Sequence, residues 1–142
     1  MKVKVKKLHP DAVIPKYATE GAACFDLHTL TSSVVYMTNS TAFPTGLSFE
    51  IPPGYVMLVY SRSGHGFKNG IRLSNCVGVI DSDYRGELIV KLHNDGNNHM
   101  PITKGDRIAQ AMVVPVHTVE LEEVNELSDT ERGEGGFGST GK

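Results

Sequence analysis

Residues 75–92 read NCVGVIDSDYRGELIVKL, and this stretch decides the fold class. Two apolar segments, residues 77–80 and 87–92, lie on either side of the polar residues 81–86. Valine and isoleucine favour strands, whereas aspartate, serine and glycine favour the turn that connects them. The pattern is typical of a β-hairpin, and it predicts that Asp81 ends the first strand and enters a tight turn.

Short strand-like segments continue on both sides of this stretch. No window of a dozen residues sustains a helical apolar period, and the best place for a helix is one short turn after Ser61. Many short strands with turns at roughly 8–12-residue spacing predict an all-β sandwich, barrel or jelly roll. The predicted strands outside the hairpin are residues 3–8, 23–27, 34–37, 47–51, 55–60, 107–116 and 119–124.

The bulk composition limits the class of protein. A chain of 142 residues with 39% hydrophobic content predicts one packed domain. The net charge of −2 argues against direct nucleic-acid binding. No apolar run approaches the roughly 20 residues that span a bilayer, so no membrane contact is expected. The two cysteines, Cys24 and Cys76, indicate no disulfide scaffold, and we expect a cytoplasmic protein, or one in the host-cell cytoplasm if viral or phage-encoded.

The last segment differs from the rest. Residues 128–142 read SDTERGEGGFGSTGK, with one aromatic residue, many glycines and no core-forming pattern. This composition predicts a single β domain over residues 1–127 and a flexible C-terminal arm over 128–142. The arm is either a mobile tail or a segment that becomes ordered on a ligand.

Two clusters could carry chemistry in or beside the predicted hairpin. A carboxylate held at a strand end, as Asp81 is here, can act as a general base toward water. Asn75 offers both a donor and an acceptor, which suits the edge of a nucleobase. The alternative is that residues 81–83 serve only the turn. In the segment Ser61-Arg62-Ser63-Gly64, arginine and backbone N–H groups could bind phosphate, or the segment could be a solvated turn.

The segment GDRIAQ at residues 105–110 is a turn that enters a strand. Asp106 and Arg107 could form a surface ion pair of little energetic weight, and Gln110 could face solvent. None of the six histidines has metal-ligand spacing to a cysteine or another histidine.

Five segments, taken together and in their order along the chain, indicate a protein family far more specifically than any one of them does alone. The segments are AACFDL (22–27), SRSG (61–64), NCVGVIDSDYRG (75–86), GDRIAQ (105–110) and RGEGGFGSTG (132–141). They resemble the five ordered motifs of trimeric dUTPases, and the resemblance covers nearly the whole chain. It implies a jelly-roll-like β-clip fold and a homotrimer with three active sites at subunit interfaces.

The resemblance also implies an activity, which is the hydrolysis of dUTP to dUMP and pyrophosphate. This reaction keeps uracil out of DNA and supplies dUMP for thymidylate synthesis. Asp81 would be the base that orients water for attack on the α-phosphorus. Mg²⁺ would be held mainly by the substrate phosphates, with Asp26 acting indirectly through water or a neighbouring arginine.

The same resemblance assigns the substrate contacts. Main-chain groups of the hairpin would read uracil and leave no room for a 5-methyl group, and Tyr84 would pack where a ribose 2′-OH would lie. In the arm, Phe137 would stack on uracil and Arg132 would reach the γ-phosphate. The remaining uracil contacts are Asn75, Gly78, Val79, Ile80 and Ile89, and the phosphate contacts are Arg62, Ser63, Gly64, Gln110, Gly138, Ser139 and Thr140.

The chain departs from the family pattern in the first two motifs. Cys24 stands where glycine is more usual, Ser61 where proline is usual, and His65-Gly66-Phe67 where a small apolar pair is usual. Three other classes of protein remain as alternatives. They are a dCTP deaminase of the same fold, a nucleotide-dependent binding or regulatory protein on this scaffold, and a plain structural β domain.

Overall fold

The computed structural model describes residues 1–139, which form eleven strands and one short helix. The predicted all-β class is therefore confirmed. The elements are β1 (Lys4–Lys7), β2 (Phe25–His28), β3 (Ser33–Val35), β4 (Ser40–Pro44), β5 (Leu47–Glu50), β6 (Tyr55–Tyr60), α1 (Ser63–Asn69), β7 (Ile71–Leu73), β8 (Val77–Ile80), β9 (Ile89–Asn94), β10 (Met100–Ile102) and β11 (Arg107–Pro115).

The strands form four small antiparallel sheets. The largest has the order β2-β11-β6-β8, and a second has the order β4-β9-β7. Two further pairs join β1 to β5 and β10 to β3. Strand β11, the longest at nine residues, pairs with β2 on one side and with β6 on the other. It therefore brings the N-terminal third of the chain next to its middle.

The core lies between these sheets. Leu27 of β2, Phe43 of β4, Leu47 of β5 and Met57 of β6 are fully inaccessible to solvent, and Ile108 of β11 is 1% exposed. Each burial of a side chain of this size contributes about 1.5–3 kcal/mol to folding. Because five different strands supply these residues, the core fixes the sheets relative to one another.

Local patterns located several elements correctly. Strands β6 and β8 have the predicted bounds, and α1 begins two residues after Ser61, where a short helix was expected. The helix ends at Gly70, which has the left-handed φ of 66° that suits a glycine at a helix C-terminus. Strands β4, β7 and β10 were not predicted, because each is three to five residues long and two of them contain a proline.

The predicted hairpin is wrong in one respect. Strands β8 and β9 do not pair with each other, because β8 pairs with β6 and β9 pairs with β4 and β7. The two strands follow one another in the chain but belong to different sheets. Strand β8 is consequently the last strand of its sheet.

The predicted strand at residues 119–124 is also wrong. The structure assigns no strand there, and Val119, Leu121 and Val124 are 69%, 91% and 51% exposed. A strand needs a partner for its backbone hydrogen bonds, and residues 1–139 of a single chain offer none at this position.

Cys24 and Cys76 are both free thiols, as expected. Across residues 1–139, no helix has the length and apolar character needed to cross a membrane.

Candidate active site

A crevice opens between β8 and β9, because the segment that follows β8 turns away from this strand. Residues 85–88 turn toward β5 instead of pairing back onto β8. Ser48 Oγ donates to the Arg85 carbonyl at 2.7 Å, and the Leu88 N–H donates to the Leu47 carbonyl at 2.8 Å. The buried Thr45 hydroxyl donates to the Leu88 carbonyl at 2.7 Å. These bonds hold residues 85–88 away from β8.

The crevice contains two cavities that share part of their walls. The larger, of about 290 Å³, is lined by Val79, Ile80, Asp81, Tyr84, Glu87, Leu88 and Ile89. The smaller, of about 100 Å³, is lined by Asn75, Gly78, Val79, Ile80, Ile89 and five further residues. The structure thus brings together every hairpin residue that the sequence predicted as a uracil contact. It also places Asp81 and Tyr84 in the wall of the same crevice.

Gly78 lies where β8 packs most tightly on its neighbour. A Cβ atom at this position would lie 3.1 Å from the Val59 Cβ and 3.9 Å from the Asn75 side-chain nitrogen. Glycine therefore lets the backbone of β8 lie close to β6 and leaves Asn75 at the wall of the smaller cavity.

Asp81 follows β8 directly and is exposed. Its carbonyl accepts the Tyr84 N–H at 3.2 Å, which closes a four-residue turn. Within residues 1–139, its carboxylate makes no hydrogen bond or ion pair. The carboxylate is therefore free to accept a hydrogen bond from water.

Tyr84 is 46% exposed. Its hydroxyl donates to the carbonyl of Glu87 at 3.0 Å. The Glu87 side chain is fixed in turn, because its Oε1 accepts the Gly46 N–H at 2.8 Å. The tyrosine ring is thus tied to the loop that shapes the crevice.

A second, polar cluster lies at the end of the four-stranded sheet. Asp26 Oδ1 is 3.1 Å from Arg62 Nε, and Asp26 Oδ2 is 3.2 Å from an Arg107 terminal nitrogen. Arg62 also donates to the Arg107 carbonyl at 3.2 Å. The Asp26 side chain is only 18% exposed, so its two oxygens are held by two guanidinium groups with little access to water.

Strand register explains why the first, second and fourth motifs meet here. Gln110 of β11 lies directly opposite Asp26 of β2 and opposite Tyr60 of β6. Gln110 Nε2 donates to the Ser61 carbonyl at 3.0 Å, which ties the fourth motif to the second. The next residues, Arg62, Ser63 and Gly64, lead into α1, and the last two are exposed.

His65 lies in the first turn of α1, and its Nδ1 is buried without a hydrogen-bond partner among residues 1–139. Burial and the neighbouring Arg62 charge lower the pKa of this imidazole, and Asp106 opposes the shift. His65 is therefore neutral at pH 7.

The described part of the arm, residues 128–139, makes no hydrogen bond to the crevice or to the Asp26 cluster. Arg132 donates to the Gly135 carbonyl at 2.7 Å, and Ser139 N–H donates to the Gly136 carbonyl at 2.9 Å. Every hydrogen bond of residues 130–139 has its partner inside the arm. Phe137 is fully exposed, and its φ of 50° and the φ of 90° at Gly138 are left-handed. Thr140 lies outside the described residues.

Some functional residues were missed from the sequence. Arg107 was interpreted as a surface partner of Asp106, but it pairs with Asp26, while Asp106 accepts the Thr103 N–H at 2.8 Å. The sequence did contain a signal for Arg107, because this residue starts the predicted strand that also carries Gln110. Thr45 and Ser48 carried no signal, because their role depends on contacts about forty residues away in the chain.

The acidic residues do not form a metal cage. Within residues 1–139, no group of three or more His, Cys, Asp or Glu side chains could hold a metal ion. Mg²⁺ takes oxygen ligands and keeps several waters. Asp26 has carboxylate oxygens of the kind that Mg²⁺ takes, and each of them already accepts one hydrogen bond from an arginine.

The chain matches a known family along nearly its whole length. Residues 10–141 match the family model described as dUTPase. The chain is 52% identical over 142 residues to a deoxyuridine 5′-triphosphate nucleotidohydrolase of Nautilia profundicola, with both chains fully covered. It is 48% identical over 141 residues to the enzyme of that name from Helicobacter hepaticus, covering 99% of this chain and 89% of the relative.

Solved structures show the same likeness. The dUTPase of Staphylococcus bacteriophage 80alpha with dUPNHPP superposes with a TM-score of 0.92 at 31% identity, covering 99% of each chain. A mutant dUTPase from phage phi11 of S. aureus, described as coordinating a structural Mg(II) ion, superposes with a TM-score of 0.82 at 25% identity. That match covers 89% of this chain and 98% of the phage chain. The neighbours confirm the predicted β-clip fold.

Proposed function

This chain belongs to the dUTPase family and hydrolyses dUTP to dUMP and pyrophosphate, and we propose that the uracil base binds in the crevice between β8 and β9. The observation that carries this proposal is the crevice itself, which is held open by the contacts of residues 85–88 with β5 and has Asp81 in its wall. The other assignments below are part of the same proposal.

Base recognition uses the edge of β8 that faces away from β6. Residues 78–80 have one edge paired with β6, and backbone N–H and C=O groups on the other edge can bond the uracil ring. Asn75 and Ile89 complete the walls. Cytosine carries a donor where uracil carries an acceptor, so its binding would leave buried groups unpaired. The walls of the crevice would leave no room for a 5-methyl group, so thymine would be excluded.

Asp81 acts as the general base. Its carboxylate takes a proton from a water molecule as the water oxygen forms a bond to the α-phosphorus. The bond from that phosphorus to the bridging oxygen breaks, and pyrophosphate leaves. The exposed carboxylate supports this role, since no group among residues 1–139 competes for its lone pairs.

The Asp26–Arg62–Arg107 cluster, with Gln110 beside it, binds the phosphates. Arg62 supplies charge, and the exposed Ser63 and Gly64 supply hydroxyl and backbone donors. The substrate phosphates hold Mg²⁺, which Asp26 reaches through water. When bound, the ion neutralises charge that develops on the leaving pyrophosphate.

The active protein is a homotrimer, in which each site is shared between subunits. Asp26, Arg62, Arg107 and Gln110 line neither cavity of the crevice, and the described part of the arm, up to residue 139, hydrogen-bonds only within the arm. A threefold assembly can bring these separate parts of different chains together. The exposed apolar side chains of residues 116–127 offer surface for such contacts.

The arm closes over the bound nucleotide of a neighbouring subunit. Phe137 stacks on uracil, Arg132 reaches the γ-phosphate, and Gly138, Ser139 and Thr140 line the phosphates. Closure excludes water and completes the site. The full exposure of Phe137 supports a role outside its own chain.

The test of the function is pyrophosphate release from dUTP, dTTP, dCTP and UTP, with Mg²⁺ and with chelator. Fast Mg²⁺-dependent release from dUTP alone is expected. Ammonia from dCTP would instead indicate the deaminase reaction. Asp81→Asn should still bind a non-hydrolysable dUTP analogue while losing most of its turnover, and near-normal turnover would refute the role of Asp81.

A further inference from the structure

Gly86 lies against the ring of Tyr84. An ideal Cβ built on Gly86 would lie 2.3 Å from the Tyr84 hydroxyl oxygen, 2.5 Å from Cζ and 2.9 Å from Cε2. All three distances are below 3.0 Å, a separation that real Cβ atoms essentially never show. The phenol end of Tyr84 therefore occupies the space that any other residue at position 86 would need.

The backbone does not require glycine at this position. The φ of Gly86 is outside the left-handed region, unlike that of Gly46 at 68° or Gly54 at 80°. Alanine can adopt such a conformation without strain. The side chain of alanine would, however, displace the Tyr84 ring from its position.

The position of the tyrosine ring is otherwise well defined. Its hydroxyl donates to the Glu87 carbonyl at 3.0 Å, and the Glu87 carboxylate accepts the Gly46 N–H at 2.8 Å. The ring is thus tethered at its tip and lies against the backbone at residue 86. Both contacts come from the loop that holds the crevice open.

We propose that Gly86 is a specificity-determining positioning residue, which lets the Tyr84 ring lie where it excludes a ribose 2′-OH. This inference rests on the proposed role of Tyr84 against the sugar. With alanine at position 86, the tip of the Tyr84 ring must move away from residue 86 by at least 0.7 Å, the difference between 3.0 Å and 2.3 Å, and this shift disturbs the hydrogen bond to the Glu87 carbonyl. Because the ring tip is the far end of a side chain, it moves without refolding the loop.

The expected effect is on selectivity. A misplacement of about 1 Å in a positioning contact can change a rate by about a hundredfold, so the ratio of kcat/KM for dUTP to that for UTP should fall by about tenfold or more in Gly86→Ala. The melting temperature should stay close to that of the parent, since Gly86 is exposed.

The experiment measures this ratio in Gly86→Ala, Tyr84→Ala, the double variant and Gly21→Ala. Gly21 is the matched control, because it is also exposed, its φ is not left-handed and a Cβ there would meet nothing within 4 Å. We expect the ratio to fall in Gly86→Ala and in Tyr84→Ala and to stay unchanged in Gly21→Ala. The double variant should match Tyr84→Ala, because without the ring the added methyl group has nothing to displace.

The outcomes separate the inference from its premise. A ratio that falls in Tyr84→Ala but not in Gly86→Ala overturns the inference and leaves the sugar role of Tyr84 intact. A ratio that stays unchanged in Tyr84→Ala refutes that role, and the inference with it. If Gly86→Ala lowers the ratio equally in the presence and absence of the Tyr84 ring, glycine acts on something other than the ring and the inference is wrong.

Discussion

Two variants that are each inactive should restore activity when they assemble together. One variant, Asp81→Asn, lacks the proposed base but keeps its arm. The other lacks residues 131–142 but keeps Asp81. If the crevice of one subunit is closed by the arm of another, a mixed trimer can contain a site with an intact base and an intact arm.

The expected turnover of the mixture follows from the placement of Asp81 and the arm on different subunits. Residues 116–127, twelve in number, form no helix or strand and connect β11 to the arm. At full extension they span at most roughly 40 Å, enough to reach a neighbouring subunit. With equal amounts of the two chains, about half of the crevices carry Asp81 and about half of the arms are present. Because the two parts come from different subunits, about a quarter of all sites are complete.

The assay is dUTP hydrolysis after co-expression of the two chains with different affinity tags. Turnover should reach about a quarter of the wild-type value per subunit in the whole population, and about a third when mixed trimers are isolated through both tags. The control mixes Asp81→Asn with an arm-deleted Asp81→Asn chain, where every base is missing and no turnover is expected. If the test mixture is no more active than either variant alone, the base and the arm act within one subunit and the shared-site proposal is wrong.

Three further predictions concern the arm, His65 and Arg107. Deleting residues 131–142 should abolish most turnover but leave the melting temperature nearly unchanged, because the arm as far as residue 139 makes its hydrogen bonds internally. A large loss of melting temperature by differential scanning fluorimetry would show that the arm is structural. The lowered pKa of His65 means that the folded state binds fewer protons than the unfolded state. The stability that the neutral imidazole contributes is therefore complete above the unfolded pKa of about 6.5 and is lost as pH falls from there through the lowered folded-state pKa. His65→Gln should therefore show a shallower decline in urea midpoint between about pH 7.5 and pH 5 than the parent, and equal slopes would contradict this. Arg107→Met removes one of the two arginines on Asp26, so KM for dUTP should rise several-fold because Arg62 is placed less well. The free energy of unfolding should change by only about 0–1 kcal/mol, because Arg107 is half-exposed. An unchanged KM in steady-state kinetics would count against this role of Arg107.

Elements with a strong local pattern could be predicted from the sequence. Strand β6, YVMLVY, and strand β8, VGVI, consist almost entirely of β-favouring residues and were located to the residue. Strand β4, STAFP, was missed because three of its five residues are small or polar and it ends in proline. Its place in the fold comes from pairing with β9, about fifty residues later.

Pairing itself could not be predicted, because it depends on distant residues. The sequence of residues 77–92 is typical of a hairpin, and the strands separate because Thr45, Leu47 and Ser48 make hydrogen bonds to residues 85 and 88. The partnership of Asp26 with Arg107 likewise depends on the register of β2 and β11, which are about eighty residues apart. The chemistry of the candidate site could therefore be named from its motifs, whereas its geometry required the fold.

The edge of β8 also bears on aggregation. A strand with an unpaired edge is a template on which another chain can add a strand and start a fibril. Strand β8 is only four residues long, and an acidic residue, Asp81, follows it directly. Its edge faces the wall formed by Leu88 and Ile89, so an incoming strand would have to enter the crevice to pair with it. The recess proposed to bind a flat, single base therefore also keeps this edge from joining other protein chains.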